Sequence, residues 1–260
     1  MEENSLSELY VREVSLIRKP PKESYLRKLP VVCALTKAPI QFHGPVTFFV
    51  GENGTGKSTL IEALAVAMGF NPEGGTRNFN FSTQETHSEL CDCIRVAKGI
   101  KPLRDGFFLR AESFYNVATN IDDLDSEPSF GRPVIDSYGG VSLHHQSHGE
   151  SFMALAENRF GGNGLYILDE PEAALSPMKL MRLMCRIDKL VKQHSQFIIA
   201  THSPILMTFP GATTYELSAD GIRSVDYRET EHYQMTRRFL ENPDKMLKIL
   251  FGDNSKRKRD

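Results

Sequence analysis

The stretch "GENGTGKST" (51–59) decides the fold of this chain. It matches the pattern G-x-x-x-x-G-K-[ST], in which glycines let the backbone approach an anion closely. The run "VTFFV" (46–50) before it is short, apolar and β-branched, which predicts a strand. Residues 56–69 after it carry apolar side chains at helical spacing. Strand, loop and helix in this order are the setting that a phosphate-binding loop requires.

The residue types of this loop predict a nucleotide site. Backbone amides and the helix N-terminus point at phosphates, the Lys57 ammonium reaches the β- and γ-phosphates, and the Ser58 hydroxyl coordinates Mg²⁺. The alternative is a chance match to the pattern, which the flanking strand and helix disfavour. The predicted nucleotide-binding residues of the loop are Gly51, Glu52, Asn53, Gly54, Thr55, Gly56, Lys57, Ser58 and Thr59.

Two later apolar runs end in polar residues of the kind that hydrolysis needs. "LYILDEPE" (165–172) predicts a strand that ends in Asp169, which we expect to bind Mg²⁺, and Glu170, which we expect to orient or deprotonate water. "IIATHSP" (198–204) places His202 just past another buried strand, where it can donate to the γ-phosphate. The ordinary alternatives are solvated acids at a strand end and a structural histidine.

The polar segment "QSHGES" (146–151) precedes a helix-like run. Ser147 and Glu150 have the spacing of a capping box, and Gly149 bares the backbone at the helix start. These features predict a second helix N-terminus that binds an anion. Because residues 51–59 already cradle phosphates, such a site is most useful to the nucleotide of another subunit. The alternative is that the segment only caps a surface helix.

The alternation of strands and helices predicts the fold class. The second half alternates, whereas the first half is richer in strands, so we expect an α/β P-loop fold: a mostly parallel sheet flanked by helices, with an antiparallel β portion on the N-terminal side. "LPVVCAL" (29–35) is predicted to be a strand. Residues 1–252 are predicted to be one domain in which about 71–160 include a small inserted helical/β subdomain, and 253–260 a basic disordered tail.

Composition excludes several classes of protein. The 260 residues carry a net charge of −2, so no global basic field attracts nucleic acid. No run approaches the roughly 18 apolar residues of a membrane span, and the acidic start lacks the features of a signal peptide, so we expect a cytoplasmic protein. Only 87 residues (58–144) separate Lys57 from His145, too few for a long coiled-coil arm. The run "KRKR" (256–259) indicates a disordered tail or, alternatively, a nucleic-acid contact.

The phosphate loop, "SHGES", "LYILDEPEAALSP" and "THSP", in this order, resemble the ABC-type ATPase family. More closely, they resemble stand-alone bacterial ATPases related to chromosome-maintenance and DNA-repair ATPase heads. The resemblance implies an ATP hydrolase that uses Mg²⁺ and forms an ATP-induced homodimer, in which Ser147 and Gly149 contact ATP held by the opposite subunit. It also implies a D-loop at 174–177. The catalytic residues implied are Lys57, Ser147, Glu170 and His202.

The chain departs from the family pattern at several positions. His148 stands where glycine is common, and Glu112 or Ser113 replaces the usual glutamine. Tyr25 is a candidate for stacking on adenine. The expected biology is a soluble switch in DNA repair, genome maintenance or phage defence, with an effector protein or nucleic acid as a possible partner. The alternatives are the ATP-binding subunit of a membrane transporter and an ATP-gated binding module with little turnover.

Overall fold

Two β-sheets organise the chain in the computed structural model, which describes residues 9–77, 88–112, 114–126 and 133–252. The predicted basic tail (253–260) and Ser113 lie outside the described residues. So does the whole of the polar stretch 78–87. Among the described residues, no helix has both the length and the apolar character that crossing a bilayer demands.

The large sheet has six strands in the order β5-β6-β7-β3-β8-β9. Its first five strands are parallel, and β8 and β9 form an antiparallel hairpin. Because parallel strands end at the same edge, the residues that follow β3, β6 and β7 meet there. The strands are β3 (Val46–Gly51), β5 (Asp105–Arg110), β6 (Gly164–Asp169), β7 (Gln196–Ala200), β8 (Thr213–Ser218) and β9 (Gly221–Val225).

A small antiparallel sheet forms the N-terminal part of the fold. Its order is β2-β1-β4, with β1 (Val11–Leu16), β2 (Ile40–Gln41) and β4 (Ile94–Lys98). The buried Gln196 side chain ties it to the large sheet, because its Oε1 accepts from the backbone N–H of Tyr10 and Val11, each at 2.9 Å. Its amide nitrogen donates back to the Val11 carbonyl at 2.9 Å. This one polar side chain therefore links the small sheet to the large sheet.

The helices cover both faces of the large sheet. The phosphate-loop helix α2 packs between the two sheets, and α3 to α6 share a second apolar core on the opposite face. Two further helices, α7 and α8, follow the β8–β9 hairpin. The helices are α1 (Pro30–Leu35), α2 (Lys57–Ala67), α3 (Phe114–Ser126), α4 (His148–Asn158), α5 (Pro177–Val191), α6 (Pro204–Met207), α7 (Glu231–Glu241) and α8 (Pro243–Phe251).

The strand predicted over 29–35 is wrong, because these residues form the helix α1. Pro30 occupies the first helical position, where its missing N–H costs nothing and its fixed φ suits a helix. Val31 and Val32 are buried against the phosphate loop and its helix, and the Val31 N–H donates to the Thr55 carbonyl at 3.2 Å. Tertiary packing therefore overrides the β preference of a short valine-rich run.

The predicted fold class is confirmed: the structure has a mostly parallel sheet flanked by helices and an antiparallel portion from the N-terminal region. Within the range predicted to include a subdomain, β4 belongs to the small sheet and β5 forms the edge of the large one. The division of the chain into domains stays a prediction.

Candidate nucleotide-binding site

The phosphate loop leaves β3 at the edge where the parallel strands end. Its three glycines have positive φ, 136° at Gly51, 83° at Gly54 and 93° at Gly56. A Cβ at Gly51 would lie 2.2 Å from the Leu217 carbonyl oxygen, and one at Gly56 would lie 2.5 Å from Val31 Cγ1. Conformation and close packing both require glycine at these two positions. A turn of this kind is one in which backbone amides can face an anion.

Lys57 begins α2 and lies over the loop. Its side chain is buried, and its Nζ donates to the carbonyl oxygens of Gly51 at 2.8 Å and Glu52 at 3.0 Å. Burial lowers the pKa of Lys57, while the nearby carboxylates of Glu170 and Asp169 act in the opposite direction. The structure therefore places a buried cation on the loop carbonyls, within the electrostatic influence of the two acids at the end of β6.

Ser58 and Asp169 meet although 111 positions separate them, since the Ser58 hydroxyl donates to Asp169 Oδ1 at 3.0 Å. Hydroxyl and carboxylate oxygens are ligands that Mg²⁺ prefers, and this ion usually takes only one or two protein ligands besides phosphates and water. Burial raises the pKa of Asp169 to about 6, against the opposing effects of Arg110 and Ser58. A buried carboxylate with incomplete charge compensation fits the binding of a cation.

Arg110 is a residue of this site that the sequence analysis missed. It ends β5 beside Asp169, with its Nη1 2.7 Å from Glu62 Oε2 and its Nε 3.7 Å from Asp169 Oδ2. That Nε is buried and has no hydrogen-bond partner among the described residues. Glu112, the candidate for the glutamine position, is mostly exposed and approaches Arg110 at 3.7 Å. The run "FFLR" ends in a charge as "LYILD" does, and that signal was available in the sequence.

Glu170 follows β6 in a left-handed conformation, with φ 50° and ψ 53°. Such a conformation costs a non-glycine residue roughly 1–2 kcal/mol, and strain of this kind clusters at functional sites. The Glu170 N–H donates to the Ala200 carbonyl at 3.0 Å, which fixes the turn on β7. Its Oε1 lies 3.4 Å from Nε2 of His202. The structure thus brings together two residues that the sequence analysis placed at the ends of separate strands.

Glu172 holds the segment that carries His202. Its carboxylate accepts from the Thr201 hydroxyl at 2.8 Å and from the His202 backbone N–H. Burial raises the pKa of Glu172, and these hydrogen bonds oppose the rise. Burial and the Lys57 ammonium lower the pKa of His202. Glu172, the last carboxylate of "DEPE", is therefore structural here, and it sets the position of the histidine.

Two cavities flank the loop. One of about 480 Å³ is lined by Glu52, Thr55, His232 and the β8–β9 hairpin, and one of about 700 Å³ by Tyr25 and Thr59 among others. Both volumes lie within the range of ligand pockets. The exposed Tyr25 ring and Thr59 share a cavity, which is compatible with the predicted adenine contact. The exposed residues at the loop tip are Glu52, Asn53 and Gly54.

The "QSHGES" segment begins α4 away from these contacts. Glu150 Oε2 accepts from the Ser147 backbone N–H at 3.0 Å and from its hydroxyl at 2.5 Å, and these contacts lower the pKa of Glu150. A Cβ at Gly149 would lie 2.9 Å from the Ala174 carbonyl and 3.0 Å from Lys179 Nζ, so this glycine is also needed for packing. No hydrogen bond or ion pair of the described residues joins Ser147 or Glu150 to residues 51–59.

Two family models match parts of the chain. Residues 33–105 match an AAA domain, and residues 141–208 match an AAA domain described as a putative AbiEii toxin of a type IV toxin–antitoxin system. The first covers the phosphate loop, and the second covers "QSHGES", "DEPE" and "THSP". No curated protein matches the chain.

Several solved structures are similar to this chain. The protein cbiO1 from Clostridium perfringens, part of the ABC transporter complex cbiONQ, is 16% identical with a TM-score of 0.54, over 90% of this chain and 96% of that chain. A nucleotide-free ATP-binding cassette of an ABC transporter has 17% identity and a TM-score of 0.48, over 94% and 100%. The SMC head domain from Thermotoga maritima has 18% identity and a TM-score of 0.43, over 84% and 99%. The match to cbiO1 shows that the chain has the P-loop fold of ABC-type ATPases. The two AAA-domain matches support the resemblance inferred from the motifs.

Proposed function

We propose that this protein binds ATP with Mg²⁺ at residues 51–59 and hydrolyses it. The observation that carries the proposal is the contact between Ser58 and Asp169 at 3.0 Å, beside the buried Lys57. These groups supply two oxygen ligands and a cation at the end of a loop whose amides can face phosphates. The bound magnesium ion would offset the negative charge of the phosphates.

The proposed chemistry divides between residues that bind and residues that act on water. Lys57 and the loop amides hold the phosphates, whereas Glu170 orients the attacking water and accepts its proton. His202 donates from Nε2 to the terminal phosphate. Glu170 Oε1 lies 3.4 Å from this Nε2, so both side chains face the same part of the site. Electrostatic stabilisation and positioning are the main contributions expected in phosphoryl transfer.

We further propose that ATP joins two copies head to tail, so that Ser147, Gly149 and Glu150 of one copy face the nucleotide of the other. Support comes from the exposure of Ser147 and Glu150 and from their lack of contacts with the loop of their own chain among the described residues. In the described structure the Ser147 hydroxyl donates to Glu150, so this hydroxyl can donate to a phosphate only after its hydrogen bond to Glu150 breaks.

The proposed context is a switch in DNA repair, genome maintenance or phage defence. A transporter subunit is expected to dock its permease beside the glutamine loop. In this chain Glu112 stands in that region and pairs with Arg110, which supports a role other than transport. We also propose that the protein hydrolyses ATP in steady state, unlike a module in which bound ATP only controls binding.

Steady-state phosphate release and ATP binding test the proposal. Lys57→Ala should weaken ATP binding and abolish turnover. Glu170→Gln should bind ATP and slow hydrolysis by a factor on the order of 10²–10⁴, and light scattering should then detect an ATP-dependent dimer. Glu157→Gln, on an exposed pair with Arg182, is the matched control and should hydrolyse normally. Normal hydrolysis by Lys57→Ala or Glu170→Gln contradicts the assignment.

A further inference from the structure

His202 and His232 face each other at the edge of the proposed hydrolysis site. Nδ1 of His202 lies 3.0 Å from Nε2 of His232, and the ring centroids are 4.8 Å apart. His202 follows β7, and His232 lies in the first turn of α7. A helix that carries none of the recognised nucleotide motifs therefore contacts the histidine expected at the terminal phosphate.

The second nitrogen of His202 decides the direction of this hydrogen bond. Its Nε2 is buried and has no hydrogen-bond partner among the described residues, while Glu170 Oε1 lies 3.4 Å away. A neutral imidazole carries one N–H. A proton on Nδ1 would turn the Nε2 lone pair towards a carboxylate, whereas a proton on Nε2 turns an N–H towards it. Electrostatics favours the second form, in which Nδ1 is an acceptor and His232 must donate.

The charges around His202 favour its neutral form. Burial and Lys57 lower the pKa of His202, and the neighbouring His232 acts in the same direction, whereas Glu170 opposes them. A hydrogen bond between the two rings is consistent with the 3.0 Å separation of Nδ1 of His202 and Nε2 of His232. The buried Nε2–H is then available to an acceptor such as a phosphate oxygen, since a buried donor without a partner is costly.

The position of His232 is held independently of His202. Thr230, the residue before α7, is fully buried, and its hydroxyl donates to the Tyr227 carbonyl at 2.7 Å. The Glu231 N–H donates to Glu216 Oε1 on β8 at 3.2 Å, and the other oxygen of Glu216 binds Arg223 at 2.6 Å. The start of α7 is therefore anchored to the large sheet, which gives His232 a defined place beside His202.

We infer that His232 is a positioning residue: its Nε2–H donates to Nδ1 of His202 and holds His202 as the Nε2–H tautomer, with that N–H turned towards Glu170 and the terminal phosphate. The inference rests on the proposed function for the role of His202, but the tautomer itself does not. In metal sites and hydrolases, too, a group that hydrogen-bonds the second nitrogen of a functional imidazole fixes its tautomer, although there that group accepts from the ring N–H.

The first experiment needs no enzymatic activity. Imidazole ¹⁵N shifts of the nucleotide-free protein, with the His202 signals assigned by their loss in His202→Asn, should report a protonated Nε2 and an unprotonated Nδ1 that accepts a hydrogen bond. In His232→Phe, which keeps a ring but has no donor, the Nδ1–H form should become populated. A wild-type Nδ1–H tautomer, or a tautomer ratio unchanged in His232→Phe, overturns the inference even if ATP is hydrolysed.

The second experiment measures Mg-ATP hydrolysis. His232→Phe should lower kcat by about 10-fold or more with little change in KM, by analogy with other residues that orient a functional histidine. His232→Gln retains an N–H donor and should recover much of the loss, and it serves where the phenylalanine variant does not fold. The exposed His43→Phe, before β3 at the opposite end of that strand, is the matched control. Wild-type kcat in His232→Phe refutes the inference, whereas an inactive wild-type protein refutes the proposed function alone.

Discussion

Asp169→Asn should stabilise the nucleotide-free protein at neutral and alkaline pH although it removes a residue proposed for hydrolysis. The Asp169 side chain is buried, and burial raises its pKa from an ordinary 3.8 to about 6, with Arg110 and Ser58 opposing the rise. Each tenfold change in proton affinity corresponds to about 1.4 kcal/mol, so the ionised carboxylate costs the folded state about 3 kcal/mol. Asparagine has almost the same shape, keeps an oxygen for the Ser58 hydroxyl and carries no charge.

The pH dependence follows from the direction of this pKa change. Below about pH 4 the carboxyl is protonated in both the folded and the unfolded chain and costs nothing. As the pH rises from about 4 to about 6, the unfolded chain ionises first, so the wild-type protein loses stability, and above about pH 7 the full cost applies. The stabilisation by Asp169→Asn should therefore be near zero at pH 4 and reach about 3 kcal/mol at pH 8.

Denaturant unfolding at several pH values measures this difference. Asp136→Asn, at an exposed carboxylate remote in sequence from the loop, is the matched control and should change the free energy of unfolding by less than about 0.5 kcal/mol. Mg-ATP should stabilise the wild-type protein more than the variant, because ligand binding to the folded state adds to its stability. A gain that does not vary with pH, or a loss of stability at pH 8, would refute the reasoning.

Three other substitutions test separate parts of the structure. Ser147→Arg should leave ATP binding to each monomer intact but prevent dimerisation and turnover in sedimentation and phosphate-release assays; normal dimers would leave Ser147 with only a capping role. Gly51→Ala should lower the free energy of unfolding by about 2–4 kcal/mol, since φ is 136° and the new Cβ would meet a β8 carbonyl at 2.2 Å. Burial alone would raise the pKa of Asp105, but hydrogen bonds from Tyr166 and Arg159 outweigh it and lower this pKa. Asp105→Asn should therefore destabilise by about 2 kcal/mol above pH 4, and the difference should shrink as the pH falls through the lowered pKa; a constant difference would contradict this.

Much of the candidate site was accessible from the chain alone because its parts are local. The phosphate loop is defined within nine residues, and its flanking strand and helix follow from hydrophobic periodicity. Asp169 and His202 were identified by their position just past apolar strands, and parallel strands end at a common edge. The 3.0 Å contact between Ser58 and Asp169 agrees with that reasoning.

Other features needed the tertiary structure. The helix at 30–35 follows from its packing against the phosphate loop, since a short valine-rich run has no decisive periodicity of its own. The left-handed conformation of Glu170 depends on its hydrogen bond to β7, a neighbour that only the strand order supplies. Arg110 was overlooked because β5 was not known to lie beside β6.

The sequence by itself determined the α/β class, the phosphate loop and most of the side chains proposed for chemistry, because these depend on local spacing and on periodicity. Only the tertiary structure decided which distant groups meet: Arg110 beside Asp169, Glu172 under the His202 segment, and His232 against His202. The physical reason is that such contacts depend on the order in which strands join a sheet and on where a later helix is anchored. Burial then sets the protonation of these groups, and burial is a property of the folded chain.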